Sequence, residues 1–323
     1  MFKETLISEE EVFGEVKNFI SPSIKPLNYE QIKKDIPKPT EHILYPCIID
    51  PSITFIYAAT GVGKTLFTLN IAYCIASGGK FLNYKSNKAK RVLYVDAEMP
   101  YGQMHSRIMQ IARQQGELQF PENFMMFTPD KVLPYFLPKI SDLEGQAFYD
   151  KHIEENNINV IILDNLSMLS AIDENKSVEW KIVQDWIVKL RSRGTTVIIV
   201  HHAGKEKNGY RGTSRMLDAA DTAISLQDLN SESLESDVMN SKKFKIAYQK
   251  NRNFAGKDAL SFEATLTPIG WEFQSMEKTN IEIVVERIQL NMSQKEIAVE
   301  MGWSRPYVNK LVMQAKERGF IIK

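Results

Sequence analysis

Cysteine is scarce. Cys47 and Cys74 are the only two in 323 residues. Both stand in apolar surroundings, and no Cys/His cluster has metal-ligand spacing, which argues against a disulfide framework or a zinc site. An excess of either charge is missing as well: 40 Lys+Arg balance 40 Asp+Glu, for a net charge of zero. With no global basic field, any contact with nucleic acid has to come from local patches. Apolar runs of membrane-spanning length are absent, and the opening MFKETLISEEE is acidic with no apolar core of the secretory kind. A cytoplasmic setting is expected. No internal repeat is visible. What remains, 43% hydrophobic and 25% charged, is the composition of a soluble globular chain with room for one large domain and one small one.

The texture changes twice along the chain. Residues 1–50 read as an N-terminal arm or linker, weakly helical at first and then rich in proline (Pro22, Pro26, Pro37, Pro39, Pro46, Pro51), which disfavours long helices. From Ser52, short β-branched or aromatic runs alternate with longer helical stretches: SITFIYA, RVLYVDA, NVIILD, TTVIIVH, DTAISL and FKIAYQ. The first four are almost continuously apolar, as strands covered on both faces are. The alternation predicts an α/β domain over 51–276 built on a mostly parallel, twisted sheet flanked by helices. DALSFEATLTPIGWEFQ predicts an antiparallel hairpin turning near Pro268-Ile269-Gly270, and the acidic stretch Asp228 to Lys243 a surface loop. From about Asn280 only short helices follow, a second domain over 280–323.

YAATGVGKTLFT, Tyr57 to Thr68, sits where a strand should give way to a helix. Strand, small-residue turn and helix form the context that a phosphate-binding loop requires. Ala59, Thr60, Gly61, Val62, Gly63, Lys64, Thr65 and Leu66 are the candidate nucleotide-binding residues. Small residues let backbone N–H groups face a β-phosphate, and the helix N-terminus adds partial positive charge. Lys64 would neutralise the β- and γ-phosphates of ATP, and Thr65 would ligate Mg²⁺. The pattern ordinarily begins with glycine where this chain has Ala58, read as a small residue that makes the turn. The helix that follows is expected to be amphipathic, stopped by Gly78-Gly79.

In a doubly wound sheet, chemistry gathers at the carboxyl ends of the strands. NVIILDN delivers Asp164, the expected second anchor of Mg²⁺. RVLYVDAEMP delivers Asp96 and Glu98, either of which could polarise an attacking water, with Glu98 favoured because it stands where the chain leaves the strand. TTVIIVHH delivers His201 and His202, whose imidazoles could meet a γ-phosphate or a neighbouring carboxylate.

ATGVGKT, VDAEMP followed by Arg107, VIILDNLSML, VIIVHHAGK, RGTS and YQKNRN occur in an order that resembles RecA-like hexameric ATPases. The likeness is greatest to the DnaB-type and RepA-type replicative helicases and spans roughly Pro51 to Phe273. DnaB-type proteins also tend to carry alanine at the position of Ala58. The resemblance implies that Glu98 is the catalytic base, that His202 senses the γ-phosphate, and that Lys250 and Arg252 reach the nucleotide of a neighbouring subunit. Such an arginine finger spreads two N–H donors over the transition-state oxygens. Lys250 and Arg252 stand two apart on a strand and should point the same way. The loop AGKEKNGYRGTSR carries Lys205, Lys207, Tyr210, Arg211 and Arg215 where RecA-like proteins touch single-stranded DNA. Basic residues there would track phosphates and Tyr210 would stack on a base, although Arg211 or Arg215 could serve the nucleotide instead.

The closing segment predicts a capping box, Ser293 with Glu296, on a helix from Gln294 to Met301. Gly302 makes a turn, and a second helix runs from Arg305 to Arg318. Val308, Leu311, Val312 and Ala315 fall on one face of it. This layout resembles helix-turn-helix and winged-helix modules. Arg305, Tyr307, Asn309 and Lys310 are its candidate DNA contacts, and a protein-docking role for the helix pair is the alternative. The expectation for the whole is a homo-oligomeric, hexameric ATPase that translocates on single-stranded DNA during replication of a plasmid, phage or mobile element. A recombination or annealing ATPase, or an ATP-switched DNA-binding regulator, is the alternative.

Overall fold

The computed structural model describes residues 26–37, 39–59, 61–132, 136–170, 177–202, 214–229, 241–274, 280–290 and 292–317. The chain divides after Thr40. In the first unit the described structure is one short helix, α1 (Tyr29–Lys34). Asn28 caps it through a complete capping box with Gln31, and none of its residues is buried.

The second unit begins with a hairpin, β1 (Glu41–Leu44) and β2 (Ile48–Asp50), paired antiparallel. It continues through β3 (Ile53–Ala58), α2 (Lys64–Ser77), the small hairpin β4 (Lys80–Phe81) and β5 (Tyr84–Lys85), and β6 (Val92–Asp96). Then come α3 (Tyr101–Gln114), β7 (Phe124–Phe127), α4 (Leu143–Glu155), β8 (Val160–Asp164), α5 (Leu166–Leu169), α6 (Ser177–Ser192) and β9 (Thr196–His202). β10 (Thr222–Asp228), β11 (Lys242–Asn251), β12 (Phe262–Thr267) and β13 (Gly270–Gln274) complete a nine-stranded sheet of order β13-β12-β11-β10-β3-β9-β8-β6-β7.

From β10 to β7 every neighbouring pair is parallel. From β10 outward the pairs are antiparallel. This is the mostly parallel sheet the sequence predicts, with a meander added at one edge. The period of two in each strand separates two cores. Ile56, Val92, Tyr94, Ile162, Ile198 and Val200 face α2 and the β1–β2 hairpin. Phe55, Leu93, Val95, Ile161, Leu163 and Ile199 face α4 and α6, where Tyr149, Trp180 and Trp186 are buried.

Three sequence expectations need correction. The proline-rich stretch is not an arm or linker throughout, because residues 41–50 fold as the β1–β2 hairpin and bury Ile43, Leu44, Cys47 and Ile48. Pro46 falls in its turn and Pro51 just beyond it, so neither breaks a strand pairing. Helix α2 is not amphipathic: ten consecutive residues from Phe67 to Ala76 are buried, since it packs between the sheet and the small hairpins. The acidic loop is shorter than Asp228 to Lys243, because β10 runs through Asp228 and β11 starts at Lys242; residues 230–240 lie outside the described ones.

Past β13, α7 (Asn280–Gln289), α8 (Gln294–Met301) and α9 (Arg305–Glu317) enclose a separate small core of Val284, Ile297, Ala298, Val308, Leu311 and Val312. Both halves of the Ser293–Glu296 capping box are present, and Gly302 makes the turn at φ 65°. Arg287 on α7 pairs with Glu300 on α8 at 2.9 Å.

Phe67 is fully buried in α2 against Phe81, Tyr84 and Trp271, at ring-centroid distances of 5.4, 6.3 and 5.8 Å. Phe67→Ala should lower unfolding free energy by about 3–5 kcal/mol, read as an earlier midpoint in urea. An unchanged midpoint would contradict this packing.

Candidate nucleotide site

The site forms where β3 ends. Gly61 and Gly63 both have left-handed backbone, φ +78° and +96°, which a residue with a Cβ adopts only at a cost. Gly63 is the N-cap of α2 and has no side-chain cap, so the first N–H groups of the helix face outward from the loop. That donor set suits an anion. Ala58 does not make the turn, as the sequence reading had it. It is the last residue of β3, in register with Leu226 on one side and His202 on the other. Its methyl is buried, and its carbonyl accepts from Lys64 Nζ at 2.9 Å.

Lys64 is 7% exposed. Its ammonium donates to the Ala58 and Ala59 carbonyls, both at 2.9 Å, and its third near neighbour is His202 Nδ1 at 3.1 Å. Burial pulls its pKa down, and the charges of Asp164 and Glu98 oppose that shift. Val62 is buried, and Leu66 packs its side chain against the core, so at both positions only the backbone is left to meet any ligand in the loop. Thr60 lies outside the described residues.

Asp164 ends β8, buried, and accepts from Tyr94 Oη at 2.6 Å and from the Thr65 hydroxyl. Burial raises its pKa, and those two hydrogen bonds hold the rise back. Thr65 and Asp164 therefore set two hard oxygen donors side by side, the type Mg²⁺ takes. Among the described residues no group of three or more His, Cys, Asp or Glu could hold a metal. A magnesium ion here would rest on these two residues and on phosphate oxygens.

Asp96 and Asp164 are partners in the β6–β8 register. Asp96 is 1% exposed, and its carboxylate accepts from the Met99 backbone N–H at 3.2 Å. Burial first, then the Asp164 charge, push its pKa up to about 7. Glu98 is exposed and accepts from Asn165 Nδ2. Asn165 also approaches His202 Nε2 at 3.3 Å. The structure thus gathers Lys64, Thr65, Asp164, Glu98 and His202. It also supplies two residues that sequence reasoning missed, Tyr94 and Asn165. The signals were slight: a tyrosine two before Asp96, and an asparagine that read as an ordinary turn residue after Asp164.

Lys250 and Arg252 are elsewhere. Lys250 pairs with Ala223 of β10, which pairs with Phe55. They therefore stand toward the end of the sheet opposite the phosphate loop. Three residues of strand, about 10 Å, and the width of two strands separate Lys250 from Ala58. Lys250 Nζ donates to the carbonyls of Leu217 and Asp218, and Arg252 donates to that of Asp218 at 3.2 Å, so the two do share a side. Arg252 also lies 3.6 Å from Asp221. Burial, then the neighbouring Arg252, lower the Lys250 pKa. Lys205, Lys207, Tyr210 and Arg211 lie outside the described residues, as does the side chain of Arg215. On α9, Arg305, Asn309 and Lys310 are exposed. Tyr307 is held more firmly, its hydroxyl accepting from Asn280 at 2.8 Å and its ring edge-on to Trp303.

Sheet order, phosphate loop and strand-end carboxylates define a RecA-like P-loop ATPase. The chain belongs to the AAA domain family, whose model matches residues 22–208. Among solved structures it is similar to the KaiC-like protein PH0186 from the hyperthermophilic archaeon Pyrococcus horikoshii OT3. The identity is 13%, over 72% of this chain and 93% of that one, with a TM-score of 0.50, a likeness of fold alone. No curated protein matches the chain in sequence. Among the described residues no helix is long and apolar enough to cross a membrane.

The raised Asp96 pKa carries a sign. In the folded chain Asp96 holds its proton to about 7, whereas unfolded it releases it near 3.8. The folded state therefore binds more protons between those values. The contribution of Asp96 to stability is fully present below about pH 4 and is lost as pH rises toward 7, by at most about 1.4 kcal/mol per unit. Asp96→Asn keeps an acceptor for Met99 N–H and removes the charge, so in magnesium-free buffer its unfolding free energy should lose this slope. Parallel pH profiles for variant and parent would contradict the assignment.

Proposed function

We propose that this ATPase works as a ring motor, a hexamer that hydrolyses ATP between subunits, moves on single-stranded DNA and separates strands during replication of a plasmid, phage or mobile element. The observation that carries the reading is the position of Lys250 and Arg252. They stand too far from their own phosphate loop to serve it, so a role in phosphoryl transfer requires a neighbouring subunit. Both also bind the carbonyls of the segment that follows the Ala203 to Arg215 loop. A finger engaged with that segment gives hydrolysis a mechanical route to the DNA-facing loop.

In this mechanism the backbone N–H groups of the loop and Lys64 bind the phosphates of ATP. Thr65 and Asp164 would hold Mg²⁺, which would supply positive charge beside the phosphates. Glu98, open to solvent and oriented by Asn165, accepts a proton from the attacking water, a contribution of about 10²- to 10⁴-fold. His202, beside Lys64 Nζ, responds to the γ-phosphate, and Arg252 of one subunit completes the site of the next. Unwinding of a forked duplex tests the motor directly. ATP-dependent strand separation, lost in Lys64→Ala, supports it, and turnover without separation favours a recombination-type ATPase.

The composite site gives a mixing prediction. Arg252→Ala should bind ATP yet hydrolyse it roughly 10³-fold more slowly or worse. Co-assembled with Lys64→Ala, equally inactive alone, it should regain turnover at junctions where an intact loop faces an intact finger. No recovery in verified mixed rings would place Arg252 outside the chemistry.

The terminal helices add a separate prediction. The segment from Arg305 to Arg318 carries four basic residues against Glu317, in a chain of net charge zero. Removing residues 280–323 should leave basal ATP hydrolysis unchanged while weakening duplex binding and flattening its salt dependence. Duplex affinity that survives truncation, measured over several salt concentrations, would mean that these helices dock protein.

A further inference from the structure

Glu98 stands on the short connector from Ala97 to Pro100, between β6 and the start of α3 at Tyr101. Surface connectors can leave their backbone donors to water. This one holds them all. Ala97 N–H donates to the Asp164 carbonyl at 2.8 Å, which carries the β6–β8 ladder one residue past the strand. The next two donors, the N–H groups of Glu98 and Met99, both go to the Asp96 carboxylate, the second at 3.2 Å. Pro100 has no N–H to place. Tyr101 N–H goes to Asp130 Oδ2 at 2.7 Å. The ends of the connector are thus tied to neighbouring elements, and its middle, including the backbone of Glu98 itself, depends on one side chain. An aspartate that reaches forward to the N–H groups two and three residues on makes a turn of its own, with its carboxylate in place of a backbone carbonyl.

We propose that Asp96 is a positioning residue: its carboxyl group holds the turn that carries Glu98 and so aims the general base, an inference that rests on the reading of Glu98 given above. Glu98 is then held from two ends. Asp96 fixes its backbone, and Asn165 Nδ2 donates to its carboxylate. A glutamate side chain has several rotatable bonds, so either hold alone leaves the carboxylate room to wander. That matters at a reacting centre, where a displacement of about 1 Å can cost about 10²-fold in rate. Asp96 is itself poorly placed to take a proton from water. It is 1% exposed and its oxygens already accept from the turn, whereas Glu98 is exposed. The two carboxylates of this segment therefore divide the work, one supporting and one reacting. A methyl group at position 96 would leave both N–H groups to water and the turn free to open. An asparagine would still offer one oxygen.

The test compares Asp96→Ala, Asp96→Asn and Glu98→Gln in the full chain by two measurements. The first needs no nucleotide: amide hydrogen exchange in the segment from Ala97 to Tyr101. Asp96→Ala should exchange faster there than the parent, with exchange in β8 and β9 unchanged, and Asp96→Asn should stay slow. The second is ATP turnover beside the affinity for a non-hydrolysable ATP analogue with Mg²⁺. Asp96→Ala should lose about 10²-fold in kcat with its analogue affinity unchanged, and Asp96→Asn should regain most of that loss. Unchanged exchange or unchanged kcat in Asp96→Ala overturns the proposal. Equal loss of kcat in the Asn and Ala variants overturns it too, since the Asp96 carboxylate would then be the base itself. A fall in analogue affinity that matches the fall in kcat overturns it by making the role structural. Failure of the Glu98 reading shows separately, as Glu98→Gln turning over ATP like the parent, and that outcome removes the proposal as well.

Discussion

A lysine ammonium held inside the protein is the constraint around which the site is arranged. Lys64 is nearly buried, and a buried cation has to be solvated by something. The carbonyl of the last strand residue, the carbonyl of the first loop residue and an imidazole from the next strand do this together. Each comes from a place the fold fixes: Ala58 and His202 are in register on β3 and β9, and Lys64 opens the helix that β3 feeds. Moving any one element by a residue would leave the charge unsatisfied. The phosphate loop is therefore held by the parallel sheet itself.

Three carboxylates are then distributed around that cation with different exposures, which separates their chemistry. Asp96 and Asp164 are both buried at adjacent strand ends, and burial first, then the Asp164 charge, raises the pKa of Asp96. Asp164 is kept closer to its ionised form by Tyr94 and Thr65, as a metal anchor requires. Glu98 lies two residues past the strand, in solvent, where a water can reach it. Three carboxylates within a few residues of each other in space therefore have three environments, and the environments favour distinct roles.

The α/β class and the strands were legible because buried parallel strands leave nearly unbroken apolar runs, and the loop motif has a spacing that few other local structures need. The β1–β2 hairpin was not, because six prolines in the stretch outweighed a four-residue strand, and the burial of Leu44 and Cys47 depends on α2, far along the chain. The all-round burial of α2 was hidden for the same reason: its outer face is covered by hairpins that the sequence pattern does not announce. The residues around Lys64 could be read from strand ends. Asn165 could not, since its role arises only when β6, β8 and β9 bring Glu98, Asp164 and His202 to one edge. The distance of Lys250 and Arg252 from the loop is likewise a matter of register, set by the β10–β11 pairing and invisible in one dimension.

That distance leads to the claim on which the functional account rests, a catalytic site shared between subunits. The most direct measurement is the structure of the assembled protein with Mg²⁺ and a non-hydrolysable ATP analogue. The account predicts that the guanidinium of Arg252 has left the Asp218 carbonyl and lies within hydrogen-bond distance, about 3 Å, of the γ-phosphate held by the adjoining subunit's Lys64. A γ-phosphate contacted by residues of one subunit only, with Arg252 still on Asp218, would contradict it.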